Sequence, residues 1–132
     1  MTPDTSVVVA AAGQWHPRNV AAFTAVEELV DLIDHVELEA YSVLTRIPEP
    51  FRALPHHVTE HLDGEYPGER LMLSPDERRR LLGRLADGGV SGGAAYDALV
   101  ASTAAAHERT LLTLDERAAH TYARMGARVE FL

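Results

Sequence analysis

The sequence predicts an α/β fold, a three-layer sandwich in which short parallel strands lie between helices. Two observations lead there. Segments with helical periodicity alternate with short apolar runs, and no pair of runs is joined by a hairpin turn. Such alternation implies parallel strands linked by right-handed crossovers. The 132 residues, 46% hydrophobic and 24% charged, suit one domain with a real core, spanning residues 1–132.

Ser6 to Ala12 is an apolar run whose pattern fits helix or strand. Gly13 to Pro17 interrupts it. Pro17 suits the first turn of a helix reaching about Glu28, with Val20, Phe23 and Val26 a turn apart. Leu29 to Ile33 reads as a buried strand. Val36 to Ile47 is an amphipathic helix with the stripe Val36, Ala40, Val43, Leu44, Ile47, stopped by Pro48-Glu49-Pro50. A helix from about Pro55 to Leu62 follows, then a loop over Gly64 to Gly68. Arg70 to Leu73 reads as a strand. Ser74-Pro75-Asp76-Glu77 is a capping box opening a helix to about Asp87. The Gly88 to Gly93 segment is a flexible loop. Tyr96 to His107 is an alanine-rich helix, Thr110 to Leu114 a strand, Asp115 to Met125 a helix, and Arg128 to Leu132 a final strand.

Composition excludes several chemistries. There is no cysteine, so disulfides, thiolate zinc sites and cysteine nucleophiles are absent. All 12 basic residues are arginine, which removes Schiff-base chemistry and the phosphate-loop lysine. No apolar run approaches the roughly 20 residues of a membrane span. The start, interrupted by Asp4 and lacking a basic leader, reads as fold rather than signal peptide. The net charge of −8 opposes a broad electrostatic grip on nucleic acid, although a bound cation reverses the local field.

Four acids carry the functional reading: Asp4, Glu39, Asp97 and Asp115. Asp115 directly follows an apolar run, at the carboxyl edge where open parallel sheets bind ligands. Asp97 lies in a first helical turn facing the same edge. Glu39 flanks its apolar stripe, but Glu37 occupies the other flank and periodicity does not choose between them. Gathered carboxylates oppose their own ionisation, and a hard divalent cation with oxygen ligands relieves that. The blander alternatives are specific too. Asp97 and Asp115 could cap helices, Asp4 could be a turn residue, and Glu39 could pair with Arg46. His57 and His61 share a helix face as a possible zinc pair, without a third ligand in the sequence. Arg78-Arg79-Arg80 with Arg84 reads as a solvated face.

Four blocks together resemble the PIN-domain ribonucleases, specifically the VapC-type toxins of bacterial toxin–antitoxin pairs. They are Asp4-Thr5-Ser6 with its valines, Glu39 through Arg46, Tyr96 through Ala101, and Leu111 through Asp115. The closing Gly126 to Leu132 is similar as well. The resemblance implies a PIN-like three-layer α/β/α sandwich with a short-stranded parallel sheet. It selects Glu39 over Glu37 and implies Mg²⁺ or Mn²⁺ held by Asp4, Glu39, Asp97 and Asp115, directly or through water. Ser6 and Thr113 would orient carboxylates and water from behind. It further implies an RNA substrate, a cognate VapB-type antitoxin, a homodimer and a cytoplasmic location. Only Met1-Thr2-Pro3 precede Asp4, so the first strand is expected to be very short.

Two rivals stand beside the metal-dependent endoribonuclease. A receiver-like phospho-acceptor domain also gathers acids, but needs a lysine that this chain lacks. A non-catalytic PIN-fold binding module would not need all four acids. On charge alone, neutralising any of the four is expected to reduce cleavage while metal-free folding holds or improves.

Overall fold

The computed structural model describes residues 1–132. The chain opens with β1 (Thr2–Pro3), α1 (Thr5–Ala12) and α2 (Asn19–Val26), then β2 (Leu32–Ile33), α3 (Asp34–Arg46) and α4 (Pro55–Glu65). It continues through β3 (Arg70–Leu71), α5 (Pro75–Asp87), α6 (Ala94–Ala106), β4 (Leu111–Thr113), α7 (Glu116–Arg124) and β5 (Val129–Phe131). All strand pairing is parallel, in two sheets of order β1-β4-β5 and β2-β3.

Pro3 explains the division into two sheets. The N–H groups of Thr2 and Asp4 donate to Thr110 O and Leu112 O of the β4 side, each at 2.9 Å. Alternate residues of a strand face opposite neighbours, so the donor missing at Pro3 falls on the β2 side. There β1 meets β2 without a ladder, and the Thr2 hydroxyl reaches Asp31 O at 3.4 Å. The expected short first strand is thus two residues long.

The acid that ends a strand also starts the next helix. Asp4 Oδ1 accepts from Val7 N at 3.2 Å and caps α1. Asp115 Oδ1 accepts from Arg117 N and Ala118 N at 2.9 and 3.3 Å and caps α7. The ambiguous run after Asp4 is therefore a helix. Val7, Val8, Ala10 and Ala11 are all buried, so α1 shows no polar face from which a helical period could be read.

Several expectations need correction. Pro17 lies in the turn before α2, which begins at Asn19 and ends at Val26. Ala22 and Val26 form its inner edge, whereas Val20 and Phe23 are exposed. Asn19 sets this orientation, because its side-chain amide donates to Ala10 O and Ala11 O at 2.8 and 3.0 Å and ties α2 to the end of α1. The strand expected over Leu29 to Ile33 is confined to Leu32–Ile33, and that over Arg70 to Leu73 to Arg70–Leu71. Helix α4 continues through Gly64 to Glu65, where the N–H of buried Tyr66 closes it by donating to Leu62 O. In α3, the buried residues Val36, Ala40 and Leu44 follow the predicted stripe, with Val43 and Ile47 at its half-buried margin. Gly89 and Gly92 take left-handed φ of 65° and 62°, which the glycine-rich turn before α6 requires.

The capping box at α5 is complete. Ser74 Oγ accepts from Glu77 N at 3.2 Å, and Glu77 Oε2 accepts from Ser74 N at 2.7 Å. Ser74→Ala is expected to cost about 1 kcal/mol, a few degrees of thermal midpoint. An unchanged midpoint in calorimetry would show that α5 does not depend on its cap.

Candidate active site

Asp4 sits at the end of β1, 2% exposed, and its carboxylate accepts four protein hydrogen bonds. Oδ1 takes them from Ser6 Oγ at 2.5 Å and Val7 N, and Oδ2 from Thr113 Oγ1 and from Tyr122 OH at 3.0 Å. The hydroxyls are themselves fixed, since Leu114 N donates to Ser6 Oγ and Asp115 N to Thr113 Oγ1, each at 2.9 Å. Four donors fill the roughly four acceptor positions of a carboxylate. Burial pushes Asp4 above the usual carboxylate range, and the Ser6, Thr113, Val7 and Tyr122 hydrogen bonds pull it back in part. The Tyr122 phenol is pushed far above its ordinary range by burial and then by the Asp4 charge, so it stays a neutral donor.

The other three acids are more open. Asp115 caps α7 through Oδ1, and the Arg117 guanidinium lies 3.4 Å from Oδ2. Its carboxyl is raised by burial, but the Ala118 and Arg117 N–H groups and the guanidinium outweigh that and hold it below its usual range. Glu39 Oε2 accepts from Thr5 Oγ1 at 2.7 Å, leaving Oε1 without a protein donor. Glu37 instead binds Arg70 at 2.8 Å and ties β3 to α3, which separates the two flanks that periodicity left open. Asp97 is half-buried and accepts no hydrogen bond or ion pair. Burial raises its carboxyl, followed by the negative charges of Asp115, Glu39 and Asp4.

The four acids therefore share one electrostatic environment at the carboxyl ends of β1 and β4. They do not form a finished coordination shell, because no three Asp, Glu or His side chains converge closely enough to ligate one ion as they stand. Asp4, Asp115 and Glu39 are each held by their own protein donors. The donor set is nonetheless all carboxylate and hydroxyl oxygen, which fits Mg²⁺ or Mn²⁺ and not a soft metal. Both of these hard ions keep waters that bridge wider gaps.

Glu39 and Asp115 line a recess of about 560 Å³ together with Thr5, Ser6, His16, Arg18 and Arg117. A larger groove of about 1130 Å³ lies between α3, α5 and α6, but it is mostly apolar and holds none of the four acids. Of the four acids, Glu39 and Asp115 line the smaller recess, and Asp4 and Asp97 do not. His57 and His61 line a different apolar recess with Trp15 and Phe51, and no third ligand joins them. The Arg78, Arg79, Arg80 and Arg84 side chains are exposed along α5.

Tyr122 and Thr5 escaped the sequence reading. The signal for Tyr122 was present: Ala118, Tyr122 and Met125 form the inward stripe of α7, and a buried tyrosine hydroxyl needs a partner. Nothing local marked that partner as Asp4, 118 residues away.

Acids at the carboxyl edge of a short parallel sheet fit the PIN class. The PIN domain family matches residues 1–124, and the chain belongs to that family. Among individual proteins, it is 44% identical to Ribonuclease VapC40 of Mycobacterium tuberculosis strain H37Rv over 132 residues, covering 100% of this chain and 98% of that one. It is 38% identical to Ribonuclease VapC27 of the same strain over 128 residues, 96% of this chain and 92% of the relative.

Proposed function

We propose that this chain is a Mg²⁺- or Mn²⁺-dependent endoribonuclease acting as the toxin of a type II toxin–antitoxin pair. Its catalytic acids are Asp4, Glu39, Asp97 and Asp115. The observation that carries the reading is Asp97, a half-buried carboxylate with no protein partner, raised in pKa by burial and by three further acids. Burying an uncompensated carboxylate is costly, and a cation is the partner that removes the cost. The relatives named as VapC ribonucleases support the choice of RNA.

When bound, the cation polarises the scissile phosphate and makes its water a better nucleophile. Asp97, Glu39 Oε1 and, in competition with Arg117, Asp115 Oδ2 would hold it. Asp4, its acceptor positions taken by Ser6, Val7, Thr113 and Tyr122, would meet it only by giving up one of those donors to a bridging water. Ser6 and Thr113 keep Asp4 in one orientation, and Ser6, by accepting from Leu114 N, ties α1 to the end of β4. The same reading gives one domain over residues 1–132, a homodimer, a cytoplasmic location and a VapB-type antitoxin whose basic side chain would pair with the acids. No helix is long and apolar enough to cross a membrane.

The test is RNA cleavage by purified protein with a chelator, Mg²⁺ or Mn²⁺, alongside the thermal midpoint. Cleavage is expected only with the metals. Saturating Mn²⁺ at about 100 times its dissociation constant should add about 2.7 kcal/mol of stability. Equal cleavage in the chelator would overturn the metal assignment.

A further inference from the structure

RNA is a polyanion, yet this protein carries a net charge of −8 and lines its site with carboxylates. Binding therefore needs positive groups placed beside the acids. Most of the arginines are engaged or remote. Arg70 pairs with Glu37 and Arg109 with Asp31, while Arg124 and Arg128 donate to backbone carbonyls. Arg18 and Arg117 are the two that line the acid recess.

Their settings differ in a useful way. Arg18 Nη2 donates to Leu132 O at 2.7 Å, so the end of the chain holds one corner of the guanidinium and leaves its other donors free. Beside it, His16 Nδ1 accepts from Arg18 N at 3.1 Å, which leaves the proton of a neutral His16 ring on Nε2 as a further donor. Arg117 is 93% exposed and meets Asp115 at 3.4 Å, a long contact through solvent-accessible groups. An exposed pair of this kind is worth little, so a phosphate can take the guanidinium without a cation on Asp115.

We propose that Arg18 and Arg117, with His16 Nε2, form a clamp for the phosphates of the RNA backbone on the wall of the recess built by the α1–α2 turn and the start of α7. The inference rests on the ribonuclease reading and adds where the substrate strand runs. The planar arginine fork suits bidentate contact with phosphate oxygens. The contacts go to the backbone, so they add affinity without sequence preference.

Fluorescence anisotropy with a labelled single-stranded RNA pool of mixed sequence, without divalent ions, tests the clamp. Arg18→Ala and Arg117→Ala should each weaken binding about tenfold at low salt. Each should also flatten the dependence of log affinity on log salt by about 0.7, the expected value for one phosphate contact on a single strand. Arg18→Gln keeps a donor for Leu132 O without the charge, so it should match Arg18→Ala even if the alanine variant folds poorly. Arg79→Ala, 81% exposed on α5, should change neither quantity. A wild-type slope in Arg18→Gln and Arg117→Ala would overturn the clamp, as would equal losses in Arg79→Ala. Wild-type protein that binds no RNA would overturn it together with the ribonuclease reading. Clamp-dependent binding without metal-dependent cleavage would sink the ribonuclease reading alone.

Discussion

Replacing Asp97 by asparagine is expected to reduce RNA cleavage by about 10²–10³-fold, the loss of several kcal/mol of metal-centred stabilisation, while the fold persists. Burial and the neighbouring acids raise the Asp97 carboxyl above its usual range. The folded protein then holds that proton more tightly than the unfolded chain does. Stability falls as pH rises from the unfolded value of about 3.9 through the raised folded value, and the whole cost is present above it. Asparagine removes that cost. Without metal at neutral pH, the variant should therefore be slightly the more stable, by less than about 1 kcal/mol because the group is partly solvated. The difference should close as pH falls through the raised range. Added Mn²⁺ should reverse the order by stabilising the wild type alone. Thermal midpoints across pH, with and without Mn²⁺, read all of this beside cleavage. Full activity in the variant would overturn the catalytic assignment and leave the fold standing.

Asp4→Ala should behave in the opposite way and lower metal-free stability sharply. It removes the cap of α1 and leaves the Ser6, Thr113 and Tyr122 hydroxyls and Val7 N–H without their common acceptor. A lost cap and several orphaned buried donors together cost about 3 kcal/mol or more, roughly 10 °C of midpoint in a domain of this size. Asp4→Asn should lie between, because the hydroxyls can turn to accept from its amide. This departs from the charge argument, under which neutralising any of the four acids would hold or improve folding. That argument applies to Asp97, which has no donors to lose. A midpoint in Asp4→Ala within about a degree of wild type would show that the network contributes nothing to stability.

The elements that could be read from sequence carry their information locally. The α3 stripe is legible because one face of that helix is polar. The α5 cap is legible because Ser74 and Glu77 are three residues apart. Helix α1 was ambiguous because burial on every side erases periodicity. The α2 face was misread because Asn19 answers to carbonyls in the preceding helix, a constraint that hydrophobic spacing does not contain.

The same distinction governs the site. By itself, the sequence determined the residue types, the absence of thiol and lysine chemistry, and four candidate acids, of which Asp115 directly follows a short apolar run. Resemblance of those blocks singled out Glu39. Only the tertiary structure decided how the acids differ. Asp4 is saturated by donors from α1, β4 and α7, Glu37 is engaged by Arg70, and Asp97 is left bare. A carboxylate's role depends on how many donors and how much water reach it. Those donors come from strands and helices up to 118 residues distant, and only folding brings them into contact.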